Sequence, residues 1–256
     1  MRYTEKLNAR IAAAQSRLCV GLDPRPDLIK EPLREFLLRV IAESAPHAAC
    51  FKPNIAYFEA LGSKGIALME EVLTAIPGDI PVLLDVKRGD IGETQKYYAK
   101  ACFDAWEVDA VTLNPFLGYD SIEPFLGYAG KGLYLLAVTS NPGAADIEMQ
   151  TLAGGRKVYE LVGDMARRAA GSAAEVGFVV GLTNAGAEIL TALPDAPLLV
   201  PGLGAQGGDV NALRSSPRSA PVLINVSRGV MFPPEGETVA AAAARWRETI
   251  ESALSA

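Results

Sequence analysis

A chain of 256 residues, 50% hydrophobic and 21% charged, has apolar side chains enough for a large core, and its length suits one α/β barrel or two small domains. Its formal net charge of −6 offers no basic field to gather DNA, RNA or an anionic membrane. Cys19, Cys50 and Cys102 are widely spaced in apolar surroundings and His47 has no neighbouring ligand, so no zinc or iron–sulfur pattern is present and the thiols read as small buried residues.

In chain order, the N-terminal stretch MRYTEKLNARIAAAQSR alternates charge with alanine and lacks the apolar centre of a signal peptide. Short continuously apolar runs then recur at Leu18–Leu22, Ala48–Lys52, Ile80–Val86, Asp109–Leu113, Leu133–Val138, Gly177–Leu182, Pro197–Val200 and Pro221–Val226. Amphipathic segments lie between them, including Ile66–Ala75, Gln95–Trp106, Arg156–Ala170 and Gly236–Leu254. Runs without polar alternation are the mark of parallel strands buried on both faces. Eight β–α units in about 250 residues predict a single-domain (β/α)8 barrel, with a doubly wound open sheet as the competitor. No linker or compositional shift divides the chain, and no run of about 18 apolar residues spans a membrane. A cytoplasmic protein is expected.

In a barrel, chemistry sits at the C-terminal ends of the strands. The polar residues there are Asp23, Lys52 with Asn54, Asp85 with Lys87 and Asp90, Asn114, Thr139 with Ser140, Thr183 with Asn184, Gly202 to Gln206, and Ser227 with Arg228. Asp85 and Lys87 are two apart on a strand and therefore face the same way. On that spacing alone, an exposed ion pair at a strand end fits as well as a functional one. Asp23 and Lys52 end two other strands and converge on the same mouth. Two lysines alternating with two aspartates would hold every charge in place and keep Lys87 protonated, as a general acid must be.

Two glycine-rich turns close the chain's later half, Val200–Asp209 and Asn225–Gly229. Loops after the seventh and eighth strands commonly bind phosphate in barrels, glycine permitting close backbone approach and Arg228 offering a fork for the dianion. Tight βα turns also use glycine, but placement beside Gln206 and Arg228 favours phosphate. The segment Asp146–Arg156, with Gly154 and Gly155, fits either a lid over the ligand or an idle surface excursion. For Asn114 and Thr183, turn or capping duty is expected.

The run Asp85-x-Lys87-x-x-Asp90-Ile91-Gly92-x-Thr94 resembles the signature of the orotidine 5′-phosphate decarboxylases. LDPRPD, FKPNIAYFE, TSNPGA, PGLGAQGGD and VSRG follow in that family's order over most of the chain, closest to its longer bacterial branch. The resemblance implies decarboxylation of orotidine 5′-phosphate to UMP in pyrimidine biosynthesis, with no cofactor and no metal. It implies Lys87 as proton donor to C6 of the pyrimidine, Asp85 beside the substrate carboxylate, and Asp90 and Thr94 reaching across a homodimer interface into the partner's site. Asp23 and Lys52 would meet the ribose hydroxyls, Ser140 the pyrimidine ring, with Pro201 packed near it. Gly202, Gln206, Ser227 and Arg228 would hold the phosphate. Gln95 departs from the family, which usually has a small or apolar residue there, and bears on packing rather than chemistry. Two other readings stay open: a metal-dependent sugar-phosphate β-keto acid decarboxylase or synthase of the same superfamily, and a non-catalytic nucleotide-binding barrel. The metal-dependent enzymes place a carboxylate where Lys52 stands, since Mg²⁺ needs hard oxygen ligands.

Overall fold

Apolar runs of four to seven residues are too short for stable helices and bury both faces as strands. In the computed structural model, which describes residues 1–183, 186–202, 211–214, 216 and 218–255, they form β1 (Leu18–Leu22), β2 (Cys50–Pro53), β3 (Leu83–Arg88) and β4 (Ala110–Leu113), then β5 (Gly132–Val138), β6 (Glu175–Val180), β7 (Leu198–Pro201) and β8 (Val222–Val226). Neighbours in the order β2-β1-β8-β7-β6-β5-β4-β3 pair in parallel. Single parallel bridges, Phe51 to Val82 and Asn54 to Asp85, join β2 to β3 and complete the ring. That closure separates a (β/α)8 barrel from a doubly wound sheet.

The observed strands differ from the expected ones by up to three residues at their ends, because local side chains take on other work. Asp109, expected to open β4, instead accepts the Val82 N–H at 2.8 Å and pairs with Lys6 Nζ at 2.7 Å. Glu175 extends β6 backwards, its carboxylate anchored by the Thr4 N–H and hydroxyl, each at 2.7 Å. The segment expected as one helix over Gln95–Trp106 runs as an α-helix over Gly92–Lys100 and finishes in a π turn over Ala101–Ala105. Gln95 is fully buried there, and its side-chain amide donates to the Ser121 carbonyl.

The N-terminal stretch becomes a helix, Tyr3–Ala14, that plugs the bottom of the barrel. Tyr3 and Leu7 enter a cluster made of one interior residue from each strand: Cys19, Cys50, Leu83, Ala110, Tyr134, Val179, Leu199 and Leu223, with Ala49. A second, larger cluster fills the space between sheet and helices. All three cysteines are free and buried, and burial pushes the Cys102 thiol up to about 12. Residues two positions further along β2, β3, β4 and β8 face the same interior one layer higher. They are Lys52, Asp85, Thr112 and Asn225, so an apolar floor lies under a polar layer. No helix among the described residues is long and apolar enough to cross a membrane.

Within the floor the buried hydroxyls of Tyr3 and Tyr134 meet at 3.0 Å. Removing one hydroxyl strands the other without water. Tyr134→Phe should therefore cost about 1–3 kcal/mol in urea unfolding, whereas Tyr3→Phe combined with Tyr134→Phe should recover most of the loss. Equal losses for the single and double variants would contradict a paired floor.

Candidate active site

The layer above the floor centres on Asp85. Its Oδ2 receives Lys52 Nζ at 3.2 Å, while Lys87 Nζ reaches Oδ1 at 2.6 Å and Oδ2 at 2.7 Å. One carboxylate is thus clamped between two ammonium groups. Lys52 and Asp85 are buried, and the Lys87 side chain is about half exposed at the mouth. Asp85 and Lys87 meet as their spacing predicts, yet β3 is not regular between them. Its register with β4 runs Leu83 to Ala110 and Leu84 to Val111, then jumps to Arg88 opposite Leu113. The irregular stretch puts Lys87 at φ 45°, a left-handed conformation that few residues with a Cβ adopt. The Thr112 hydroxyl spans it, accepting the Lys87 N–H at 2.9 Å and donating to Asp85 Oδ1 at 2.7 Å.

These groups line a cavity of about 230 Å³, with Ser140, Asn141, Pro201 and Asn225 on its other walls. Pro201 and Asn225 also line a second hollow of about 500 Å³, bounded by Asp23, Arg25, Tyr57, Gly202, Ser227, Arg228 and Trp246. The shared walls make the two spaces lobes of one cleft at the C-terminal ends of the strands. Close backbone approach shapes the second lobe. A Cβ on Gly21 would stand 2.7 Å from Ser227 Cβ, and Gly202 sits at φ 71°. Asp23 Oδ1 and Asn225 Oδ1 are buried there without a hydrogen-bond partner, which leaves acceptors available to a ligand.

The structure therefore gathers Lys52, Asp85, Lys87, Ser140 and Pro201 in one lobe, and Asp23, Pro201, Gly202, Ser227 and Arg228 in the other. Asp23 makes no ion pair among the described residues and acts on Lys52 through space. Asp90 and Thr94 line neither lobe. The Asp90 carboxylate turns back to the Ile91 N–H at 2.8 Å, and Thr94 is exposed. Gln206 and Asn184 lie outside the described residues. Asn114 does cap, its side chain accepting the Phe116 N–H at 3.1 Å. The segment Asp146–Arg156 borders neither lobe; the Thr151–Lys157 bridge folds it back on itself, and Glu148 ties it to the Thr139 N–H at 2.7 Å. Thr112, Asn225, Arg25, Tyr57 and Trp246 were not singled out from sequence. For Thr112 and Asn225 the signal was present, a polar residue inside an otherwise apolar strand, two positions before a strand-end residue.

Burial by itself would drive Asp85 and Lys52 toward their neutral forms. For Asp85 that effect is outweighed by the charges of Lys52 and Lys87 and by hydrogen bonds from Lys87 and Thr112, and its carboxyl falls from 3.8 to about 2. For Lys52 the desolvation is likewise outweighed, chiefly by Asp85 and then Asp23, which hold the ammonium well above its ordinary range. A net positive, water-poor lobe of this kind suits a reaction that develops negative charge.

Residues 16–243 match the model of the orotidine 5′-phosphate decarboxylase / HUMPS family. The chain is 40% identical, over the whole of both sequences, to a Roseiflexus sp. (strain RS-1) protein named orotidine 5′-phosphate decarboxylase. It is also 40% identical to a Herpetosiphon aurantiacus protein of the same name, over 94% of this chain and 93% of that one. Among solved structures, an OMP decarboxylase from Leishmania donovani superposes with TM-score 0.87 at 37% identity, each chain covered completely. A Toxoplasma gondii structure described as an orotidine-monophosphate decarboxylase gives TM-score 0.89 at 36% identity, over 99% of this chain and 96% of that one.

The depressed Asp85 carboxyl links the site to stability. Its ionised form contributes fully above about 3.8, and that contribution is lost as pH falls toward about 2. Denaturant unfolding between pH 5 and pH 2 should show the protein losing on the order of 2 kcal/mol more than an Asp85→Asn variant does. Identical losses would mean that Asp85 is not held ionised.

Proposed function

We propose that this chain, which belongs to the orotidine 5′-phosphate decarboxylase / HUMPS family, converts orotidine 5′-phosphate to UMP and CO₂ in de novo pyrimidine biosynthesis. The observation that carries the reading is the Asp85 carboxylate clamped by Lys52 and Lys87 in one lobe, with Ser227 and Arg228 in the adjoining one. A nucleotide laid along the cleft would put its phosphate against Gly202, Ser227 and Arg228, with Gln206, outside the described residues, as a further proposed contact. Its ribose would lie near Asp23 and Lys52, and its pyrimidine beside Ser140 and Pro201.

Loss of CO₂ leaves an electron pair on C6 with no adjacent carbonyl to take it. The Lys87 ammonium beside that carbon stabilises the developing charge and then transfers a proton from Nζ to C6, making the C–H bond of UMP. Asp85 orients Lys87 and faces the departing carboxylate. Phosphate binding, remote from the reacting carbon, supplies energy for ordering the charged groups.

Within the same family, a metal-dependent sugar-phosphate enzyme is disfavoured by Lys52. Its ammonium lies in contact with Asp85, the carboxylate a divalent cation would need, and repels such an ion. Asp90 and Thr94 serve the partner's site in a homodimer. Support comes from the apolar surface around them, where Ile91 is 58% exposed, Tyr97 64% and Phe116 70%, an arrangement that favours a covered face. The whole barrel is then one catalytic domain of a cytoplasmic enzyme that works without metal or cofactor.

Absorbance-monitored conversion of orotidine 5′-phosphate to UMP tests this reading. Lys87→Ala should lower turnover by more than about 10⁴-fold while UMP still binds in calorimetry. Turnover of the unaltered protein should survive exhaustive chelation. Wild-type turnover in the Lys87 variant, or activity lost to chelator and restored by Mg²⁺, would refute it.

A further inference from the structure

Lys87 stands in a backbone conformation that its own side chain disfavours, so something outside the residue holds it there. Its N–H is held by the Thr112 hydroxyl. The carbonyl of Arg88 accepts the Asn114 N–H at 2.8 Å, fixing the chain beyond Lys87 to β4 as well. Thr112 is 1% exposed, and a hydroxyl has a single proton to give. Because the Lys87 N–H can only donate, the hydroxyl oxygen must accept it, and the proton is left for Asp85 Oδ1. One buried side chain thus fixes both the backbone that aims the ammonium and the carboxylate that orients its tip.

From this geometry we infer that Thr112 is a positioning residue for proton transfer, holding Lys87 in its left-handed turn and Asp85 in its clamped orientation through the same hydroxyl. The inference rests on the decarboxylase reading for its catalytic consequence, but not for its structural one. Thr112 touches the acid and its partner rather than the reacting carbon. Its loss therefore acts on kcat, and nucleotide affinity, set largely in the other lobe, is spared. Valine matches threonine in shape and lacks both hydrogen-bonding functions; serine keeps both and lacks only the methyl group.

The test compares Thr112→Val with Thr112→Ser. Thr112→Val should lower kcat about 10- to 100-fold, the scale of a small misplacement of a reacting group, with KM and the affinity for UMP changed less than about threefold. Thr112→Ser should return kcat to within about threefold of the unaltered protein. A valine variant with unchanged kcat, or a serine variant as impaired as valine, overturns the inference, since a packing role alone predicts one of these. Amide hydrogen exchange at Lys87 provides a readout independent of activity. Protection should be lost in Thr112→Val and kept in Thr112→Ser, and retained protection in valine would equally overturn it. If the unaltered protein made no UMP, the decarboxylase reading would fall while the exchange result still decided the structural claim.

Discussion

The interaction on which the rest depends is a buried carboxylate shared between two ammonium groups. Asp85 and Lys52 are each less than a tenth exposed, and either one alone at that depth would lose its charge. Together with Lys87 they remain ionised, because each supplies what the others lack in water. Such a cluster is a poor device for stability, since apolar residues of equal volume commonly do as well. Under the proposed decarboxylase reading its presence in the barrel's interior has a chemical reason: fixed charge beside a developing carbanion requires no reorganisation when the reaction occurs.

The remainder of the fold is arranged to keep that cluster dry from below and open from above. Tyr3 and Leu7 of the N-terminal helix seal the apolar floor, with their neighbours drawn from every strand. Above the charges, the cleft opens toward Ser227 and Arg228 through a wall shared at Pro201 and Asn225. The barrel thus carries a single gradient, apolar at the base, charged in the middle and glycine-lined at the rim, and the proposed substrate would lie along it with its dianion at the rim.

Much of this was legible in the residues. Continuous apolar runs reveal parallel strands because burial on both faces removes the polar alternation, and Asp85 with Lys87 carries its pairing in its spacing. What escaped detection depended on tertiary context. The register jump in β3 has no local signal, since neither glycine nor proline marks it and the hydroxyl that holds Lys87 comes from β4. The plugging role of Tyr3–Ala14 lies in a cluster that Tyr3 and Leu7 share with residues from eight separate strands, which no single stretch encodes. Asn225 and Thr112 were visible as polar intrusions in apolar strands, yet only the closed ring shows that both face the cleft. The residues of Asp146–Arg156 leave lid and surface excursion equally open; the segment lines neither lobe, and Glu148 ties it to Thr139 at the edge of the smaller one.

The most direct test is a crystal structure of the protein with UMP bound. The account predicts the phosphate among Gly202, Ser227 and Arg228, and C6 of the pyrimidine about 3–3.5 Å from Lys87 Nζ, a near-attack separation. A nucleotide lying the other way, with its phosphate on Lys52 and Lys87, or a pyrimidine outside the charged lobe, would contradict it.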